Sequence, residues 1–197
     1  MKTKICVIGA GLGGLSAAIR LANKGFEVDL YEQNSFPGGK AGELKEQGFR
    51  FDTGPSLLTM PYVIKDLFNE CGENIDEYLE IKKLDIICKY FYPDRTILNA
   101  YSDPAKFGKE IEENTTDDSK SLIKYLDYCK TIYNFAGDLF LTKDPSSVST
   151  YLNSKALKTL LNIRKIDPFR TINEANESFF KDQRLVQLFN RYTTYNG

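Results

Sequence analysis

Histidine is absent from the 197 residues, and so is tryptophan. Without imidazole these residues cannot build a serine–histidine or cysteine–histidine nucleophile pair, nor a zinc site that needs imidazole ligands. The side chain that ordinarily transfers protons near neutrality is missing, which points to a cofactor as the source of any hard chemistry. Cysteine is sparse: Cys6, Cys71, Cys88 and Cys129 lie far apart with no C-x-x-C pair. That spacing fits neither a zinc site nor a dense disulfide framework, and implies buried thiols in a reducing compartment. An excess of one charge is also lacking, with 26 Lys and Arg against 27 Asp and Glu. The balance argues against nucleic acid as a partner. No uninterrupted apolar run approaches the roughly 20 residues that a transmembrane helix needs. The opening lysines and apolar run imitate a secretory signal, but glycines interrupt it and Arg20, Lys24 and Glu27 follow without a cleavage site.

What is present suffices for a core. Hydrophobic residues make up 42%, and a chain of this length can bury about 70% of its unfolded surface, as one large domain or one domain with an insertion. Residues 4–8 form a short β-branched run that suits a strand buried on both faces. A helical pattern through Leu15, Ala18, Ile19, Leu21 and Ala22 follows and stops at Gly25. A second strand, Val28–Tyr31, closes on Glu32. Between the first strand and the helix lies G-x-G-x-x-G at Gly9, Gly11 and Gly14. Gly9 permits the tight turn, Gly11 lets a pyrophosphate approach the backbone, and Gly14 lets the helix pack close to the strand. The helix N-terminus offers N–H groups and a positive dipole end to phosphates. Glu32 can accept hydrogen bonds from a ribose diol, and its charge would repel a 2′-phosphate.

Two further glycine segments follow. Pro37-Gly38-Gly39-Lys40-Ala41-Gly42 combines backbone N–H groups with an ammonium, a loop suited to an anionic cofactor. Asp52-Thr53-Gly54-Pro55 joins a flexible residue to a rigid turn, so main chain can approach a flat ligand.

The stretch GAGLGGLSAA, Glu32, PGGKAG and GFRFDTGPSLLTMP resembles the carotenoid desaturases of the phytoene-desaturase type, FAD-dependent flavoproteins of the amine-oxidase-like group. The resemblance is dense over residues 5–61. It implies an FAD site in which Gly9, Gly11, Leu12 and Gly14 hold the pyrophosphate and Glu32 the adenosine ribose. Gly39 and Lys40 would approach the phosphate and ribitol, and Asp52, Gly54 and Pro55 would lie near the flavin. Lysine at position 40 keeps the charge of the more usual arginine and loses its bidentate geometry. For Asp52 a structural turn-capping role is favoured over that of a neighbour of the flavin, and no catalytic base is assigned.

Beyond Thr59 the pattern turns helical (Val63, Ile64, Leu67, Phe68) and stops at Cys71-Gly72. Runs at Leu84–Tyr92 and Thr96–Tyr101 read as a hairpin across Pro93-Asp94-Arg95. Residues 103–118, with six acids and two lysines, read as an exposed helix and loop. An amphipathic helix is expected from Ser119 to Leu141 with the stripe Leu122, Leu126, Cys129, Tyr133, Ala136 and Phe140. The stripe either packs on a core or lines an apolar tunnel. Lys143–Ser147 reads as a linker. Residues 155–170 carry five basic groups and one acid around Leu157, Leu160, Leu161, Ile163 and Ile166. Such a segment suits an anionic membrane surface or an ordinary solvated helix face, and the resemblance favours the membrane. The R-Y-x-T-Y pattern at Arg191–Tyr195 is closer to the hydroxycarotenoid 3,4-desaturase branch.

The expected fold class is therefore α/β. A Rossmann-like FAD-binding βαβ start, in residues 1–75, begins an incomplete doubly wound sheet. A mixed β and largely helical substrate- and membrane-facing region follows in residues 76–197. One βαβ unit is legible where such a sheet needs about five strands, so the chain is expected to be an N-terminal piece of a longer protein. The resemblance implies desaturation of an acyclic carotenoid such as phytoene or a hydroxycarotenoid, a hydrophobic isoprenoid, by the full-length protein, cytoplasmic and peripheral to the inner face of the membrane, with this piece alone expected to be inactive. The alternatives are another flavin-dependent oxidoreductase of the amine-oxidase-like group, or a non-catalytic, membrane-associated nucleotide-binding piece completed by a partner chain. Nothing in the sequence speaks to oligomeric state.

Overall fold

In a computed structural model, residues 3–55, 57–137, 141, 147 and 162–196 are described. The chain divides into two compact units, Met1–Lys82 and Lys83–Gly197. Among the described residues no helix is long and apolar enough to cross a membrane.

The first unit opens with β1 (Lys4–Ile8), α1 (Leu12–Asn23) and β2 (Glu27–Tyr31), and the two strands pair in parallel from Lys4↔Glu27 to Ile8↔Tyr31. This is the expected βαβ start. The expectation of a strand buried on both faces is not met: β1 alternates between exposed and half-buried residues, and Ile8 is 87% exposed. Among the described strands β1 pairs only with β2, so no second neighbour covers it. The thiols differ from expectation in the same way: Cys6 is exposed, and Cys71, Cys88 and Cys129 are half-buried.

A hairpin not foreseen from the sequence follows, β3 (Glu43–Glu46) and β4 (Phe49–Asp52), antiparallel with Glu43 opposite Asp52 and Lys45 opposite Arg50. Its two-residue turn, Gln47-Gly48, has both residues at positive φ (52° and 83°), the geometry that matches the twist of paired strands. Helix α2 (Pro61–Glu70) starts on Pro61, whose fixed φ and missing N–H suit a first turn. It is tied to α1 where Arg20 Nε donates to Glu70 Oε2 at 2.7 Å and Asn23 Nδ2 to the Glu70 carbonyl at 2.8 Å.

The second unit holds nearly all of the buried apolar residues. Strands β5 (Ile86–Phe91) and β6 (Ile97–Tyr101) form the expected antiparallel hairpin. Helix α3 (Pro104–Asn114) packs on it. Asp103 caps its start, and Asn99 donates from both its backbone N and its Nδ2 to Glu110 Oε1. The segment 103–118 is thus not simply exposed: Phe107 and Ile111, one helical turn apart, are buried, and so is Asp117.

Helix α4 (Ser119–Ile132) passes into a wider turn over Tyr133–Gly137. Its buried face is Leu122 and Tyr125, with Tyr128 and Cys129 packed beside them, while Leu126 and Tyr133 of the expected stripe are exposed. Rings set this face: Tyr125 meets Phe189 at 4.4 Å, and Phe189 stacks on Phe180 at 4.8 Å. Those phenylalanines belong to the stretch around α5 (Ile172–Phe179) and α6 (Gln183–Asn190). Thr171 and Glu174 form a capping box at α5, and Asp182 caps α6. The Asp117 carboxylate accepts the N–H groups of Lys181 and Asp182, clamping the link between α5 and α6. Most of the expected linker at 143–147, Phe140, and residues 155–161 of the basic segment lie outside the described residues.

Candidate functional site

Three glycine segments that are separate in sequence form one continuous surface in the first unit. Gly9 leaves β1 with φ of 95°, its N–H donating to the Tyr31 carbonyl at 2.7 Å. Gly11 is the N-cap of α1, and no side chain caps that helix. The first-turn N–H groups, from Leu12 onward, are therefore left to a ligand or to water. Leu12 itself is 63% exposed. Gly14 sits where only glycine fits: a Cβ there would lie 1.8 Å from the Gly9 carbonyl oxygen. The helix start is thereby pressed against the strand end, as the dinucleotide motif requires.

The second segment docks on the first. Gly38 N–H donates to the Ala10 carbonyl at 2.7 Å, Gly11 and Gly38 form a bridge, and a Cβ on Gly39 would come within 3.1 Å of the Gly11 Cα. The third segment docks on the second: Thr53 N–H donates to the Gly42 carbonyl at 3.0 Å, and a Cβ on Gly54 would lie 1.7 Å from the Lys40 carbonyl oxygen. Backbone thus lies against backbone at each junction, with no Cβ between.

Glu32 lies just beyond β2, beside a cavity of about 610 Å³ that it lines with Ile8, Gly9 and Tyr31. This is the crevice outside the carboxyl ends of parallel strands, where open α/β sheets bind ligands. Asn34 donates to Glu32 from its backbone N and from Nδ2, both at 2.9 Å, and Ala10 N–H donates at 2.7 Å. The backbone N–H groups of Asn34 and then Ala10 hold the carboxyl below the usual glutamate range. The group stays anionic, is fixed in orientation, and has a lone pair left on Oε2 for a ribose hydroxyl.

A second cavity, about 490 Å³, is lined by Phe36, Pro37, Gly42, Gly54 and Pro55 together with Glu43, Lys45, Arg50 and Asp52. Lys40 reaches this neighbourhood through its backbone carbonyl, and the cations whose side chains line the cavity are Lys45 and Arg50. Sequence reasoning passed over both. The signal available was the alternation in Glu43-Leu44-Lys45 and Arg50-Phe51-Asp52, which puts the charged residues on one hairpin face. Asp52 pairs with Arg50 at 2.9 Å.

The cradle fits a dinucleotide. Three backbone junctions would be filled by a Cβ, uncapped helical N–H groups adjoin Gly9–Gly14, and an oriented carboxylate stands at the strand ends. Among the described residues no group of His, Cys, Asp and Glu could hold a metal ion.

Residues 7–71 match the model of an NAD(P)-binding Rossmann-like domain, so the cofactor class is a dinucleotide. The chain is 37% identical over 194 residues to a 1-hydroxycarotenoid 3,4-desaturase of Flavobacterium sp. (strain P99-3), covering 98% of this chain and 39% of that protein. It is 34% identical to a 4,4'-diaponeurosporene oxygenase of Staphylococcus haemolyticus, covering 98% and 38%. It is 33% identical to a 4,4'-diapolycopene oxygenase of Methylomonas sp., covering 98% and 39%. The chain thus spans well under half the length of these curated relatives.

Proposed function

Starting from a chain homologous along nearly its whole length to carotenoid desaturases and oxygenases, we propose that the protein is an FAD-dependent oxidoreductase that dehydrogenates an acyclic carotenoid. The observation that carries the reading is the convergence of the three glycine segments beside Glu32. FAD, when bound, supplies the two-electron oxidation that turns a carbon–carbon single bond into a double bond. The N–H groups of Leu12 and its neighbours hold the pyrophosphate, and Glu32 takes the ribose diol. The bare backbone at Gly39 and Gly54 lets the remaining half of the cofactor lie close to the chain. Asp52 is engaged with Arg50 and is assigned no proton-transfer role. Residues 76–197 begin the substrate domain, and the basic stretch 155–170 meets the surface of the membrane in which a long isoprenoid resides.

The test is to add FAD to the full-length protein, follow flavin absorbance, and then supply acyclic and hydroxylated carotenoids under turnover. Bound flavin with a product of longer conjugation supports the proposal, and absence of flavin binding refutes it. Two of the relatives named above are oxygenases, which supports a second reading, oxygenation of a carotenoid end group. Product mass separates the two, because desaturation removes two hydrogens and oxygenation adds oxygen.

A further inference from the structure

The β3–β4 hairpin carries four charged side chains on one face, and all four line the 490 Å³ cavity. Arg50 is the most constrained of them. Its Nε donates to Glu43 and its Nη2 stands 2.9 Å from Asp52. Glu43 also binds Lys45. The carboxylates of Glu43 and then Asp52 raise the Arg50 pKa above its already high ordinary value, so the guanidinium is cationic at every working pH. Of its five N–H donors, those on Nη1 have no partner among the described residues. A cation pinned at two corners has already lost much of the freedom that binding would otherwise cost it.

We propose that Arg50 is a specificity-determining residue of the dinucleotide site, donating to the acceptor edge of a flat, carbonyl-bearing ring on the cofactor. The inference rests on the FAD reading above and deepens it. Charge decides which part of a cofactor suits this place. Two acids and two bases leave the cluster neutral, so a pyrophosphate with its two negative charges would meet carboxylates as well as cations. The phosphates also have the N-terminus of α1. A neutral edge of carbonyl oxygens and ring nitrogens, such as the pyrimidine side of a flavin, accepts the Nη1 N–H groups without that repulsion. The oxidised nicotinamide ring offers only its carboxamide oxygen as an acceptor, a smaller edge for Arg50 than that of a flavin, which gives the site a physical means of preferring FAD to NAD+.

The experiment titrates wild type, Arg50→Gln and Arg50→Lys with FAD, ADP and NAD+ by calorimetry, with melting curves as a check on folding. Arg50 is 60% exposed in its side chain, so both variants are expected to fold. Loss of a charge-assisted hydrogen bond predicts FAD binding weaker by about tenfold or more in Arg50→Gln, with ADP binding changed by less than about twofold. Arg50→Lys should recover only part of the loss, because lysine lacks the planar fork. Equal loss for FAD and ADP, or unchanged FAD binding, would overturn the assignment. A wild type that binds ADP and FAD equally well would instead overturn the flavin reading itself, a result read without any variant.

Discussion

Replacing Gly14 by alanine puts the close approach of α1 to β1 to a direct test. The added Cβ would lie 1.8 Å from the Gly9 carbonyl oxygen and 3.0 Å from its carbon, and ordinary contact begins at 3.4 Å. Helix start and strand end must therefore part by about 1.6 Å, and the obstructing atoms are backbone, which cannot rotate away. Overpacking of this kind costs about 3 kcal/mol, against about 1 kcal/mol gained because alanine favours a helix over glycine. The net loss, about 2 kcal/mol, should lower the melting temperature of the first unit by about 10 °C. Because the same movement displaces the N–H groups at the helix start, ADP affinity should fall about tenfold or more. The control is Gly13→Ala one residue earlier, where nothing lies within 4 Å. There alanine should stabilise by about 0.4–1 kcal/mol. Circular dichroism during urea unfolding reads both variants, and hydrogen exchange at the β1 amides localises the effect. Equal stabilities for the two variants would refute the packing argument.

Gly54→Ala, whose Cβ would lie 1.7 Å from the Lys40 carbonyl oxygen, should separate the second and third glycine segments. FAD affinity should then fall more than ADP affinity in parallel titrations. Glu32→Gln keeps the shape and removes the charge, and ADP-ribose binding should weaken by about tenfold. The folded pKa of Glu32 is depressed from its ordinary 4.5, so its contribution is intact above that value. It disappears only as pH falls through the lower folded pKa, and titrations between pH 7 and pH 3 should follow that course. Asp117→Asn places an amide against backbone N–H groups of Lys181 and Asp182. It should cost the second unit about 1–3 kcal/mol in urea unfolding and leave ADP binding unchanged.

The βαβ start was legible because its signals are local. A β-branched run, a 3.6-residue period and glycine stops each act within a few residues; the strand limits fall within one residue of expectation, and the helix begins three residues before the expected Leu15. The hairpin of residues 43–52 was hidden by its short strands and by a Gln-Gly turn, which lacks the Asn or Asp that usually marks such turns. Around α5 a capping signal, Thr171-x-x-Glu174, was present and went unread. The buried side of α4 could not be read from its own period, because Tyr125 rather than Leu126 meets the rings of Phe180 and Phe189, more than fifty residues away.

Residue order alone established the glycine loops, the uncapped helix start and an acid at the end of the second strand. Each depends on backbone torsions or side-chain chemistry that a residue carries wherever it folds. Tertiary structure decided what those pieces do together. It brought Ala10 N–H to Glu32, seated Gly38 on Ala10 and Gly54 on Lys40, and pinned Arg50 between two carboxylates beside a cavity. Such contacts join residues distant in the chain, and they form only when strands pair and helices pack closely enough to exclude even a single methyl group.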